Sequence, residues 1–224
     1  MKDKVSCIIP AHNEGPRISK VLKAVNKHPL IDEIIVVNDA STDNTDNQAK
    51  KFKKIKLISL AKNMGKTKAV SIGLKASKNK IVFLLDADLV GLKNKDVTEL
   101  IKPILDKEAD VTISLRAGGL NIYKYIGIDF ISGERVFYKD LINQKKIGKL
   151  KKYGLESYMN EEIIKKKKRL KIVRWNGVKM TFKSQKIGFF RGSLAEISMI
   201  YQIVKTIGII GPIRQIIKLS LLKV

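Results

Sequence analysis

The first half of the chain alternates short β-branched apolar runs with stretches whose apolar residues recur at helical spacing. The runs at residues 5–10, 33–38, 55–60, 81–86 and 110–115 predict strands. The intervening stretches 15–27, 45–52, 65–76 and 96–107 predict amphipathic helices. Asn, Asp, Ser, Thr and Gly fill the connections, as turns and helix caps require. Regular alternation of strand and helix predicts βαβ units around a parallel sheet. Right-handed crossovers then bring the C-terminal ends of the strands to one edge, where ligands bind in open α/β sheets.

After Arg116 the regularity fades. Gly118-Gly119, the segment Ser132-Gly133-Glu134-Arg135, two lysine-rich stretches at 145–152 and 165–169, and a helical run through 159–164 follow. This part is expected to complete a site and receive a second substrate. From Glu196 the chain turns strongly apolar, with no further acid, basic breaks at Lys205, Arg214, Lys218 and Lys223, and Gly208, Gly211 and Pro212 in its middle. That pattern predicts two helices of about ten residues, each too short for a bilayer that needs ~20. They either pack on the preceding domain or lie in a membrane interface. The chain thus divides into a domain over 1–195, with halves 1–116 and 117–195, and a helical segment over 196–224.

Composition narrows the class. With 224 residues and 44% apolar content the chain buries a substantial core. Its net charge of +24 attracts phosphorylated substrates, anionic lipid or nucleic acid. The basic clusters lack interleaved aromatic residues, which disfavours nucleic acid, and lysine is also an ordinary surface residue. Cys7 is the single cysteine and sits in an apolar run, so it reads as a buried strand thiol. The opening Met1-Lys2-Asp3-Lys4 lacks signal-peptide character, giving the expectation of a cytoplasmic protein at the inner face of a membrane.

The chemistry gathers at the strand ends. Phe83-Leu84-Leu85-Asp86-Ala87-Asp88 closes an apolar strand with two carboxylates two residues apart. Paired hard oxygens there can hold Mg²⁺ or Mn²⁺ against a diphosphate, although Asp-x-Asp is also a common turn. Pro10-Ala11-His12-Asn13-Glu14 and Asn38-Asp39-Ala40-Ser41-Thr42-Asp43 end the first two strands, each just before a helix N-terminus. Capping accounts for Ser41, Thr42 and Asp43; Asp39 can accept from a base or ribose. In Asn63-Met64-Gly65-Lys66 the glycine permits close backbone approach and Lys66 can reach a phosphate. No Gly-x-Gly-x-x-Gly turn follows any strand, which excludes a dinucleotide-dependent oxidoreductase. Pro10 to Gly15 also lacks the Gly-rich, Arg-containing phosphate loop of a sugar nucleotidyltransferase.

These four motifs, in this order, resemble the nucleotide-binding half of the family-2 glycosyltransferases. The resemblance implies a GT-A fold, a mostly parallel central sheet flanked by helices, here with C-terminal amphipathic helices. It also implies a nucleotide-diphosphate sugar donor and inversion at the anomeric carbon. Carried over by position, it places Pro10, Ala11, Asn13, Glu14 and Asp39 on the base and ribose, and Lys66, Asp86 and Ala87 beside the nucleotide. Asp88 becomes the principal metal ligand, with Asp86 assisting. Asn38-Asp39-Ala40 departs from the family's frequent pair of acids followed by glycine. Ser132-Gly133-Glu134-Arg135 and Tyr153-Gly154-Leu155-Glu156 resemble the acceptor side of membrane-associated members that glycosylate polyprenyl or dolichyl phosphates. Glu134 and Arg135 are then acceptor-binding candidates. Glu156 is either the base that deprotonates an acceptor hydroxyl or an acid favoured by a helix N-terminus. A phosphate acceptor needs no base. A downstream metal-binding histidine is absent, since the histidines are His12 and His28, the latter read as a loop residue beside Pro29. Apolar tails of this kind also allow a homodimer. The competing reading is a non-catalytic basic membrane- or nucleic-acid-binding protein on the same scaffold.

Overall fold

The computed structural model describes residues 3–117, 125–148, 150, 154–180, 208 and 210–224. Its centre is a seven-stranded sheet in the order β3-β2-β1-β4-β7-β6-β8. β1 (Val5–Ala11), β2 (Ile31–Asn38), β3 (Ile55–Ser59), β4 (Ile81–Leu84), β6 (Val111–Arg116) and β8 (Leu170–Trp175) run parallel. β7 (Arg135–Tyr138) lies antiparallel between β4 and β6. A second small sheet pairs β5 (Leu89–Val90) with β9 (Lys179–Met180). The central strands are apolar on both faces because helices cover both faces; all four residues of β4 are buried.

One face carries α1 (Gly15–Val25), α2 (Thr45–Lys50) and α4 (Asn94–Leu105), which pack Ile18, Leu22, Ala49, Leu100 and Ile104 against Cys7, Ile9 and Phe83. Burial pushes the Cys7 thiol well above its usual range, in line with an inert strand residue. The other face carries α3 (Lys66–Ala76), α5 (Gln144–Ile147), α6 (Gly154–Lys165) and α7 (Gly211–Ser220). Here Val70, Leu74, Ile147, Leu155, Met159 and Leu219 cover Ile8, Val82, Ile113 and Phe137.

The predicted strands and helices of the first half form where expected, with ends moved by one or two residues. β4 stops at Leu84, two residues early, because the chain leaves the sheet to turn at Ala87-Asp88. In the second half β7 and β8 went unrecognised, and the helix through 159–164 is longer, spanning all of α6. His28 is the loop residue expected, and it is buried, 2% exposed, with Nε2 within 3.0 Å of Thr98 Oγ1 and Nδ1 accepting from Leu30 N at 3.2 Å.

Of the two expected C-terminal helices, the second is α7; the first lies outside the described residues. The inner face of α7 docks on α6. Gln215 donates to Ser157 O and Oγ and accepts from Asn160 Nδ2, and Leu219 is fully buried. Its outer face leaves Ile213 59% and Ile217 56% exposed, with Leu221 80% exposed beyond its end. Among the described residues no helix is long and apolar enough to cross a membrane.

Candidate active site

The loops after β1 and β2 are stitched to one another. Asn13 N donates to Ser41 Oγ at 2.9 Å, and Thr42 N donates to Asn13 Oδ1 at 2.8 Å. Glu14 N donates to Thr45 Oγ1, and Gly15 N to Asp43 Oδ2, so Asp43 caps the first turn of α1 from a different loop. Desolvation opposes ionisation of Asp43, but hydrogen bonds from Thr45 and Gly15 outweigh it and hold its carboxyl below the usual range. Pro10 is half-buried, Ala11 is buried, and Glu14 pairs with Arg17. His12 Nδ1 lies 2.7 Å from Asp39 O.

Asp39 is only 3% exposed and accepts from Met64 N and Gly65 N, both at 2.7 Å. Its carboxylate therefore shapes the loop that leads into α3. Gly65 takes φ 86°, a conformation suited to glycine, and starts the helix with Lys66 facing the end of β4.

Lys66 Nζ bridges Asp86 Oδ1 at 2.8 Å and Glu156 Oε1 at 3.0 Å. Three sequence candidates thus meet at one point, supplied by α3, the end of β4 and the first turn of α6. Gly133 closes over the pair; a Cβ there would come within 2.5 Å of Lys66 Nζ and 2.6 Å of Asp86 Oδ2. Burial alone would lower the Lys66 ammonium, but Asp86 and Glu156 outweigh it and hold it above its ordinary range. Desolvation would likewise raise the Asp86 carboxyl, and Lys66 brings it below the usual value instead.

Beneath this bridge lies a buried ionic layer. Arg116, at the end of β6, pairs with Glu134 at 3.1 Å and Asp129 at 3.0 Å. Glu134 also accepts from Ser114 and Ser132, both at 2.7 Å. Desolvation raises the Glu134 carboxyl, and the nearby Asp86 charge adds to it. Arg116 Nε and Asp129 Oδ1 have no hydrogen-bond partner among the described residues.

The side chains of Glu134 and Arg135, the two acceptor-binding candidates, are both fully buried. Arg135 spends its guanidinium on Ser132 O, Asn160 Oδ1 and Phe130 O, which fixes the turn before β7 to α6. The antiparallel strand places both residues at the ligand edge, but their side chains point into the protein. Arg116 and Asp129 were not singled out as site candidates from the sequence. For Arg116 a signal existed, because it ends a strand on that edge.

Asp86 and Asp88 follow β4 at this edge; among the described residues no group of three His, Cys, Asp or Glu could hold a cation. A two-carboxylate set fits Mg²⁺ or Mn²⁺, which commonly keep waters and complete their shell with substrate phosphates.

Comparison with known proteins agrees with this fold. The family described as "Glycosyl transferase family 2" matches residues 6–168. The chain belongs to this family. Among relatives of this glycosyltransferase-family chain, an uncharacterised protein of Methanocaldococcus jannaschii is 37% identical over 128 residues, 53% of this chain and 52% of its own. A dolichyl-phosphate beta-glucosyltransferase of Trichomonas vaginalis is 34% identical over 148 residues, covering 55% and 44%. A dodecaprenyl-phosphate galacturonate synthase of Rhizobium johnstonii is 27% identical over 122 residues, covering 50% and 36%. The match therefore spans about half or less of these relatives. Glucosyl-3-phosphoglycerate synthase of Mycobacterium tuberculosis, solved with Mn²⁺, UDP and glucosyl-3-phosphoglycerate, shares the fold with a TM-score of 0.71 at 22% identity, covering 91% of this chain and 78% of that one.

Proposed function

We propose that this family-2 chain transfers a sugar from a nucleoside-diphosphate donor to a lipid-linked phosphate acceptor, with inversion at the anomeric carbon. The observation that carries the reading is the convergence of Lys66, Asp86 and Glu156 beside the loops after β1 and β2. In this reading the base and ribose lie against Pro10, Ala11, Asn13, Glu14 and the loop that Asp39 holds, and the diphosphate reaches Lys66. Asp88, with Asp86, would hold Mg²⁺ or Mn²⁺, which when bound stabilises charge on the departing diphosphate. An acceptor phosphate arrives with its oxygen already ionised, so the chain needs no base, and Glu156 serves to hold Lys66 in place. A hydroxyl acceptor would instead give Glu156 the base's role.

Two features support a lipid acceptor. Two relatives carry polyprenyl- or dolichyl-phosphate names. The outer face of α7 also presents an apolar stripe beside Arg214 and Lys218, suited to an anionic membrane surface.

Calorimetry with a panel of nucleoside diphosphates and nucleotide sugars, with and without Mn²⁺, tests the donor site. Metal-dependent binding is expected in the parent and should weaken about tenfold or more in Asp88→Ala at unchanged thermal stability. Equal binding by parent and variant, or none by either, would sink this reading. Transfer of labelled sugar to a polyprenyl phosphate but not to a free sugar then decides the acceptor.

A further inference from the structure

A groove of about 1330 Å³ runs along the exposed side of α3, walled on the other side by the chain from Tyr138 to Gly148. Its upper end is at Lys68, half a turn beyond Lys66, and its lower end is at Lys78 and Lys80, where β4 begins. The lower end therefore sits at the opposite edge of the sheet from Asp86. The donor site accounts for none of it.

Six of its fourteen lining residues are lysines, Lys68, Lys75, Lys78, Lys80, Lys139 and Lys145, and one, Asp140, is an acid. That is about twice the share of basic residues in the whole chain, 45 of 224, so general basicity does not explain the concentration. Among the described residues none of the six pairs with a carboxylate, whereas lysines elsewhere do, as in Lys50–Asp46 and Lys171–Glu108.

The walls are fixed to each other. Lys139 Nζ donates to Ser77 O at 2.7 Å, and Lys139 N to Lys80 O at 2.7 Å. Lys139 keeps two further ammonium donors, since a lysine carries three. Cations gathered in a concave wall repel one another and focus a positive potential that a multivalent anion relieves. From Lys68 to Lys75 the helix rises ~10 Å, longer than a single phosphate can bridge.

We infer that this groove is a second anion site, taking a ligand with two or more linked or adjacent phosphates. The source is either a soluble phosphate chain or the headgroups of an anionic membrane. The inference does not depend on the transfer reaction, and its test leaves the donor site intact.

The full chain is titrated with inorganic tripolyphosphate, then with phosphatidylglycerol vesicles and neutral phosphatidylcholine vesicles, at about 0.15 M salt. Two variants of equal net charge are compared. Lys75→Gln/Lys78→Gln/Lys80→Gln alters the groove, and Lys51→Gln/Lys53→Gln/Lys54→Gln alters the exposed surface after α2. The groove variant is expected to lose about tenfold in affinity and the control about twofold or less, with nucleotide binding unchanged in both. Tripolyphosphate binding without vesicle binding identifies a soluble ligand. Vesicle binding through the same lysines, competed by tripolyphosphate, identifies headgroups. Equal losses in both variants, no binding of either probe by the parent, or capture of single-stranded RNA by these lysines without tripolyphosphate binding would overturn the inference.

Discussion

Ala40 occupies the left-handed region at φ 53°, immediately after the carboxylate that holds the Met64–Gly65 loop. An L-residue there costs about 1 kcal/mol through its Cβ. This is the position at which the resembling family often has glycine, and the cost explains that preference. Ala40→Gly is expected to raise stability by about 0.5–1 kcal/mol in urea denaturation, the relief being offset by a more flexible unfolded chain. His28 gives a residue-scale pH dependence. Burial lowers its pKa, against a weaker opposing pull from the Asn94 carbonyl. Leu30 N–H already occupies Nδ1, so protonation there would set two donors face to face. Above the ordinary imidazole value of about 6.5 both states are neutral and the stability is complete. As the pH falls the unfolded chain takes up the proton first, so stability declines by at most about 1.4 kcal/mol per unit. His28→Gln should flatten the curve as the pH falls below about 6.5. A slope unchanged by the substitution would assign it to other groups.

At the scale of elements, α7 carries two different faces on one helix. Gln215 and Leu219 fasten it to α6, while Ile213, Ile217 and the following Leu221 face outward. Ile213→Gln/Ile217→Gln should leave the melting temperature nearly unchanged and weaken anionic-vesicle binding about tenfold. Unchanged vesicle binding would remove α7 from the membrane argument. The sequence marked this helix clearly, because Gly211-Pro212 supplies its start and the apolar positions repeat at helical spacing. β7 was not legible in the same way. It has four residues, it runs against its neighbours, and Glu134 and Arg135 at its start read as acceptor-binding residues rather than as strand positions. Only the pairing of Arg135 with two backbone carbonyls and Asn160, an element away, makes its burial tolerable. No local pattern encodes that.

For the whole molecule, the parallel half could be read because each strand and helix carries its own periodicity and each turn its own caps. The motifs at the strand ends consequently fell on one edge, and Lys66, Asp86 and Glu156 met there despite their separation in sequence. The buried layer of Arg116, Asp129 and Glu134 depends on contacts across the sheet and was visible only in three dimensions. The Lys66 bridge also makes the two halves of the chain one thermodynamic system. On the proposed reading, a donor that draws this ammonium toward its phosphates loosens Glu156 at the head of α6, and an acceptor that disturbs the same bridge changes what Lys66 can offer the donor. The two affinities are then linked, and equilibrium requires each ligand to alter the other's by the same factor.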